Sequence, residues 1–280
     1  MKKRTSTPSL ASLVAAFVLV VMAVPANAAV IYQDNFEGGD LNLRYDTYLV
    51  GGGLSVVAAP GGGNAMSFTG NWGSKNLLTT KAYLGGNFTD TQYKATFRVY
   101  LNTPVQGTQL QFCALANGWN TGWDTEAVYG YNTNVYPYDQ NAGPKIVRKN
   151  TNGSSATLLD GTYPAAPDWA QAVAAKRGGY WEDWGVEVNV KDTSTDLKLT
   201  WAGLATDGTT PVSATWTVSD SSATRLTSGT GFSMQFYSGD NQAGMYIDNI
   251  LITTIPEPCA AALLVVGGLM LASRRHRNSL

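Results

Sequence analysis

Histidine and cysteine are nearly missing from this chain of 280 residues, which has one His, His276, and two Cys, Cys113 and Cys259. That scarcity excludes most His-based catalysis, a multi-cysteine zinc site and a disulfide framework. Charge is also thin, at 14% of residues, against about 25% in an average soluble protein. Aromatics reach 11%, with 8 Trp and 14 Tyr. Such a composition excludes disorder, which goes with high charge and few apolar residues. With 30 Gly and much Thr, the chain is equally ill suited to a helical bundle. Long hydrophobic runs are confined to the two ends.

Residues 1–28 read as a secretory signal. Lys2, Lys3 and Arg4 form a basic start, Leu10 to Val24 is apolar apart from Ser12, and Ala26-Asn27-Ala28 is a small-residue cleavage pattern. Cleavage is expected between Ala28 and Ala29, so the chain is exported. At the other end Pro256-Glu257-Pro258 precedes an apolar stretch from Cys259 to Ala272, followed by Arg274-Arg275-His276-Arg277. As a transmembrane helix this stretch covers only about 21 Å of a roughly 30 Å hydrocarbon core, so it inserts but anchors poorly. The arginines belong on the cytoplasmic side. The three parts in this order resemble the PEP-CTERM sorting tail. The resemblance implies that Pro256, Glu257, Pro258, Arg274, Arg275 and Arg277 form a sorting signal. Its partner would be an exosortase, a membrane protease-transpeptidase. The tail at 256–280 is then lost, and the protein is delivered to the cell surface or the extracellular polysaccharide.

Between the ends lies a body of residues 29–255. Six of the 19 Lys and Arg, but only one of the 20 Asp and Glu, fall outside it, so the body carries a net charge of −6. This argues against nucleic acid or an anionic membrane as partner. It suits a neutral glycan, or an acidic polymer bridged by a divalent cation. With Cys113 as its only thiol the body has no internal disulfide, and its stability must come from a core that this length can bury.

The periodicity of the body is two. Tyr93–Leu101 alternates over its whole length, with Tyr93, Ala95, Phe97, Val99 and Leu101 on one face; this is a half-buried strand. Trp184–Val190, Leu197–Trp201 and Phe232–Phe236 alternate likewise. Weaker strands are expected at 55–59, 65–69, 110–115, 127–131, 145–149, 156–159 and 215–219. Turns are expected at Gly51–Gly53, Pro60–Gly63, Asn152–Ser154 and Asp207-Gly208, and a short helix at Trp169–Lys176 capped by Asp168. Many short strands at such spacing indicate one all-β sandwich or barrel.

Ile31–Glu37 opens the body with Asp-Asn-Phe-Glu, and Met245–Ile252 closes it with Tyr-Ile-Asp-Asn-Ile-Leu-Ile. These ends resemble those of jelly-roll β-sandwiches of the concanavalin-like and laminin-G-like (LamG) lectin group. The resemblance implies that the first and last strands lie side by side. It also implies that Glu37 and Asp248 share a structural Ca²⁺, with Asp34 as a further ligand; calcium takes six to eight oxygens.

Catalysis is not expected. Glycan hydrolases of concanavalin-like fold carry Glu-x-Asp-x-Glu on one strand. Here Glu182-Asp183 precedes Glu187, and neighbouring residues point to opposite faces. Retaining hydrolysis needs two carboxyl groups about 5–5.5 Å apart. The segment Asn117–Tyr138 looks most like a binding site. Trp119, Trp123, Tyr129 and Tyr131 are interleaved there with Asn120 and Asp124, and apolar walls with a few fixed polar groups suit sugar rings. Asn71, Trp72 and Trp181 are lesser candidates. Three readings follow: a non-catalytic carbohydrate-binding module, a glycan-active hydrolase or lyase, and a structural surface protein without a ligand. The first is preferred.

Overall fold

The period-two alternation becomes thirteen strands among the residues described by the computed structural model. Those residues are 28–38, 45–80, 92–102, 109–117, 129–135, 144–160, 179–204, 209–229, 231–238 and 244–255. The strands are β1 (Val30–Asp34), β2 (Tyr45–Ala58), β3 (Asn64–Thr80), β4 (Gln92–Leu101), β5 (Gln109–Ala116), β6 (Gly130–Val135) and β7 (Lys145–Lys149). They continue with β8 (Ser155–Asp160), β9 (Trp181–Val190), β10 (Thr195–Leu204), β11 (Pro211–Asp220), β12 (Gly231–Ser238) and β13 (Gly244–Thr254). No helix occurs among the described residues. The expected signal and tail helices, and the helix at Trp169–Lys176, fall outside them.

All pairings are antiparallel, and β3 is where the strand path folds over. Its residues Met66–Thr69 pair with β13, whereas Ser74–Thr79 pair with β12. A front sheet runs β11-β10-β9-β4-β13, with β3 and β1 sharing the far edge of β13. A back sheet runs β3-β12-β5-β6-β7-β8. The expected two-sheet antiparallel sandwich is therefore found, with the first and last strands side by side.

The core lies where the two sheets face each other. On β4 every second residue is buried, from Tyr93 to Leu101. Phe97 of the front sheet meets Phe112 of the back sheet edge to face at 5.1 Å between centroids, and Phe112 lies 5.8 Å from Trp184. Such pairs add about 0.5–1.5 kcal/mol beyond their buried area. The open side of the sandwich, where β8 comes back against β11, is closed by polar groups. Arg148 of β7 donates to Asp220 at the end of β11 at 2.7 Å, and both are buried. Tyr131 of β6 donates to the same carboxylate at 2.9 Å.

Two expectations need correction. Gly51–Gly53 is not a turn: β2 runs straight through it, paired with β3 on both sides of an irregularity at Val50–Gly52. Glycine marks a bulge there, where the hairpin passes from one layer to the other. The turn is at Pro60–Gly63, where Gly61, Gly62 and Gly63 all have positive φ. The strand expected at 127–131 lies further on, at Gly130–Val135. Asp207-Gly208 is outside the described residues.

Candidate functional site

The outward face of the front sheet is built from residues that alternate with the core. Register sets them in rows across the strands. One row is aromatic: Tyr246 of β13, Tyr100 of β4 and Trp181 of β9 stand opposite one another. Tyr100 meets Trp181 at 5.5 Å and Tyr246 at 5.9 Å between centroids, both edge to face. All three are half-buried. The indole N–H of Trp181 donates to the Pro60 carbonyl at 2.9 Å, so the β2–β3 turn pins the ring.

The next row is charged. Arg98 stands between Asp248 and Asp183. Its Nε is 3.3 Å from Asp183, and its guanidinium lies 5.0 Å above the Trp181 ring. Burial pushes the Asp248 carboxyl above its ordinary value, and the negative charges of Glu37 and Asp34 add to this against the pull of the Asn249 N–H and Arg98. Beyond it lies an uncharged row in which Leu251 is followed by the small side chains of Thr96, Gly185, Thr200 and Thr215. A fourth row is again charged, with Glu187 between Lys94 and Lys198 at 3.6 and 3.4 Å.

The small row makes a groove. An open cleft of about 630 Å³ is lined by Gln33, Thr96, Arg98, Asp183, Thr200, Ser213, Thr215 and the bulge residues Asn249–Leu251. Gly185 lies beneath Thr200 and leaves it room to lie down on the sheet: a Cβ there would sit 2.5 Å from Thr200 Oγ1. Asn249, at φ 54°, turns β13 at this rim, and its N–H donates to Asp248 Oδ1 at 2.7 Å. The size suits a small-ligand site with fixed polar groups along it, and the aromatic row stands next to the cleft, beyond Arg98.

Of the binding residues expected from sequence, Trp119, Asn120, Trp123 and Asp124 lie outside the described residues. Tyr129 is half-buried just before β6. Tyr131 needs correction: it is 1% exposed and belongs to the closure of the sandwich, because its position on β6 faces inward. Burial pushes its hydroxyl well above the ordinary tyrosine value. The expected split of Glu182 and Asp183 is present. Glu182 is buried and accepts from the indoles of Trp184 and Trp201 at 3.1 and 2.9 Å, whereas Asp183 is exposed in the groove.

Glu37 and Asp248 are brought within each other's electrostatic reach, together with Asp34. Glu37 is held by the backbone N–H and side-chain amide of Asn64, both at 3.0 Å. Asp34 is turned to the protein, accepting from the Phe36 N–H at 2.8 Å and the Tyr45 hydroxyl at 2.7 Å. Among the described residues no three His, Cys, Asp or Glu side chains converge to hold a metal, so a calcium ion here would need carbonyl oxygens as well.

The site residues that sequence reasoning left out are Tyr100, Tyr246 and Arg98. Their signal is present in the outward positions of the alternating strands, but it becomes a site only once β9, β4 and β13 are known to be neighbours.

No family model and no curated protein matches the chain. Solved structures resemble it in outline. The VIP36 exoplasmic/lumenal domain, in a Ca²⁺/Man3GlcNAc-bound form, is 10% identical at TM-score 0.46, covering 82% of this chain and 91% of that one. A protein of unknown function with galectin-like fold from Bacillus subtilis is 8% identical at TM-score 0.45, covering 82% and 98%. The binding domain of botulinum neurotoxin DC, in complex with SialylT, is 11% identical at TM-score 0.41, covering 80% of this chain and 46% of that one. Ligand and chemistry must be read from the side chains themselves.

Proposed function

We propose that this chain is an exported surface or matrix protein whose sandwich holds a glycan in the front-sheet groove without altering it. The observation that carries this reading is the row Tyr246–Tyr100–Trp181 beside a groove with a small-residue floor. Aromatic faces take the apolar C–H face of a sugar ring, while Arg98, Asp183, Asn249 and Gln33 supply hydrogen bonds to hydroxyls. The absence of chemistry is argued from the carboxylates. Glu182 is inside, Asp183 is paired with Arg98, and Glu187 sits between two lysines, so none of these is poised as acid or nucleophile. Trp181→Ala is expected to weaken glycan binding about tenfold, as calorimetry on the purified full chain reads it, for the loss of one aromatic contact. Unchanged affinity would move the site elsewhere, and release of reducing sugar would make the protein an enzyme.

Two further parts of this reading are proposals in their own right. Sorting by an exosortase rests on Pro256–Pro258 and the terminal arginines. Intact-mass analysis of the surface-exposed form should then lack Arg277. A structural calcium ion between Glu37 and Asp248 would relieve the repulsion among carboxylates at the rim of the groove. Binding only to the folded state adds about 2.7 kcal/mol at a hundred times Kd. Millimolar calcium should therefore raise the melting temperature by several degrees over EDTA, and coincident curves would remove the ion.

A further inference from the structure

The front sheet ends at β11, which among the described residues pairs with β10 alone; β8 comes near it from the back sheet without pairing. Proteins blunt such an edge with charge, especially lysine, with a bulge or with brevity. The last strand of the back sheet follows this rule: β8 has 6 residues, and its register with β7 shifts at Ile146–Val147. Strand β11 does not. It runs 10 residues in unbroken register with β10. It holds no charged residue before Asp220, and that carboxylate is taken by Arg148. Nor is its inner side filled. Leu197, Leu199 and Trp201 of β10 are buried, whereas Val212, Ala214, Trp216 and Val218 of β11 are only half-buried.

We propose that β11 joins β11 of a second copy of this chain, antiparallel, about a two-fold axis at Thr215. Inward residues have to meet inward residues, so the axis falls on a residue and not between two. With the axis at Thr215 the ladder takes in Pro211 through Ser219 and leaves Asp220 to Arg148. Val212 then meets the partner's Val218, Ala214 meets the partner's Trp216, and Thr215 meets the partner's Thr215. An axis at Trp216 would instead set two indoles against each other and Val212 against a carboxylate. An axis at Ala214 would carry Val218 and Ser219 past the start of the facing strand. The uncharged row of the groove runs from Leu251 to Thr215 and ends at this edge, so the pairing brings the two grooves end to end. An isologous dimer of this kind offers a polymer two grips on one surface. That consequence rests on the glycan reading above; the pairing itself does not.

The test is sedimentation equilibrium on the purified full chain. It needs no glycan, so failure of the pairing and failure of the groove reading are told apart. The parent is expected to form a dimer in the micromolar range. Thr215 is exposed, so Thr215→Lys and Thr215→Glu are expected to keep the parent's circular dichroism. Each sets like charges directly opposite one another at the axis and should weaken the dimer about tenfold. An equimolar mixture of the two should restore it, because lysine then faces glutamate. A monomeric parent overturns the proposal. So does a dimer that both variants keep at the parent's strength, which belongs to another surface, the apolar ends included. A mixture no tighter than either variant alone also overturns it, since the two Thr215 positions then do not meet.

Discussion

At the scale of single residues the electrostatics of the groove rim make a prediction. Asp248 is raised in the folded chain, so the folded state holds its proton more firmly than the unfolded state does. Stability from this group is full below the unfolded carboxylate value of about 3.9 and is lost as pH rises through the folded one. Asp248→Asn is therefore expected to raise the melting temperature at pH 7 in EDTA, with the gain fading below about pH 4. Asp220 has the opposite sign. Burial alone would raise it, but hydrogen bonds from Ser222, Arg148 and Tyr131 outweigh burial and hold it below the ordinary value. Its contribution is present above about pH 4 and lost as pH falls through its lowered value. Arg148→Ala leaves that carboxylate buried without its cation and is expected to cost about 3–5 kcal/mol in urea unfolding.

Strand β9 concentrates the argument at the scale of elements. Trp184 faces the core at 2% exposure, and Trp184→Ala should cost about 3–5 kcal/mol. One residue on, Gly185 is on the outward side beneath Thr200, and Gly185→Val would push Thr200 up into the groove. Binding there should be lost while the strand persists, since valine suits an extended backbone; retained affinity in calorimetry would place the glycan outside the small row. The elements themselves were readable. Alternation marked β4, β9, β10 and β12 clearly; β1 and β13 came from the resemblance at the two ends, and the rest were weaker signals, as at β5 and β6, which are buried at every position. Three things were not readable. The three glycines of β2 carry the signature of a turn, and only a long partner strand reveals them as part of a hairpin spanning both layers. Tyr131 lies in a run of aromatics and amides that reads the same whether it lines a ligand or fills a core, and its inward parity depends on where β6 begins. The groove was hidden for a third reason: its rows come from strands distant in sequence, and Tyr100 gains meaning only beside Trp181 and Tyr246.

At the largest scale, the described strands of Val30–Thr254 form one hydrogen-bonded path folded over at β3 and closed on the opposite side by the Arg148–Asp220 pair. Two polar arrangements thus serve different ends: the buried pair closes the sandwich, while the ion pairs of the front sheet lie on its surface. Raising salt from 0.05 to 1 M should weaken the exposed Lys94–Glu187–Lys198 row far more than the buried closure, because screening acts mainly on solvated charges. Stability in urea should then change little, whereas a loss of several kcal/mol would show that the surface rows matter more than their exposure implies.

The position of β13 also gives the body a direction of mechanical strength. Strand β13 carries Asn249, Ile250 and Leu251 of the groove and is bonded to β4 on one edge and to β3 and β1 on the other. Tension between a polymer gripped in the groove and the chain beyond Thr254 runs along this strand and loads its cross-links together in shear. Tension between Val30 and Thr254 instead acts at the end where β1 meets β13, opening their bonds one after another like a zip. In single-molecule pulling, the first geometry should resist markedly higher forces than the second.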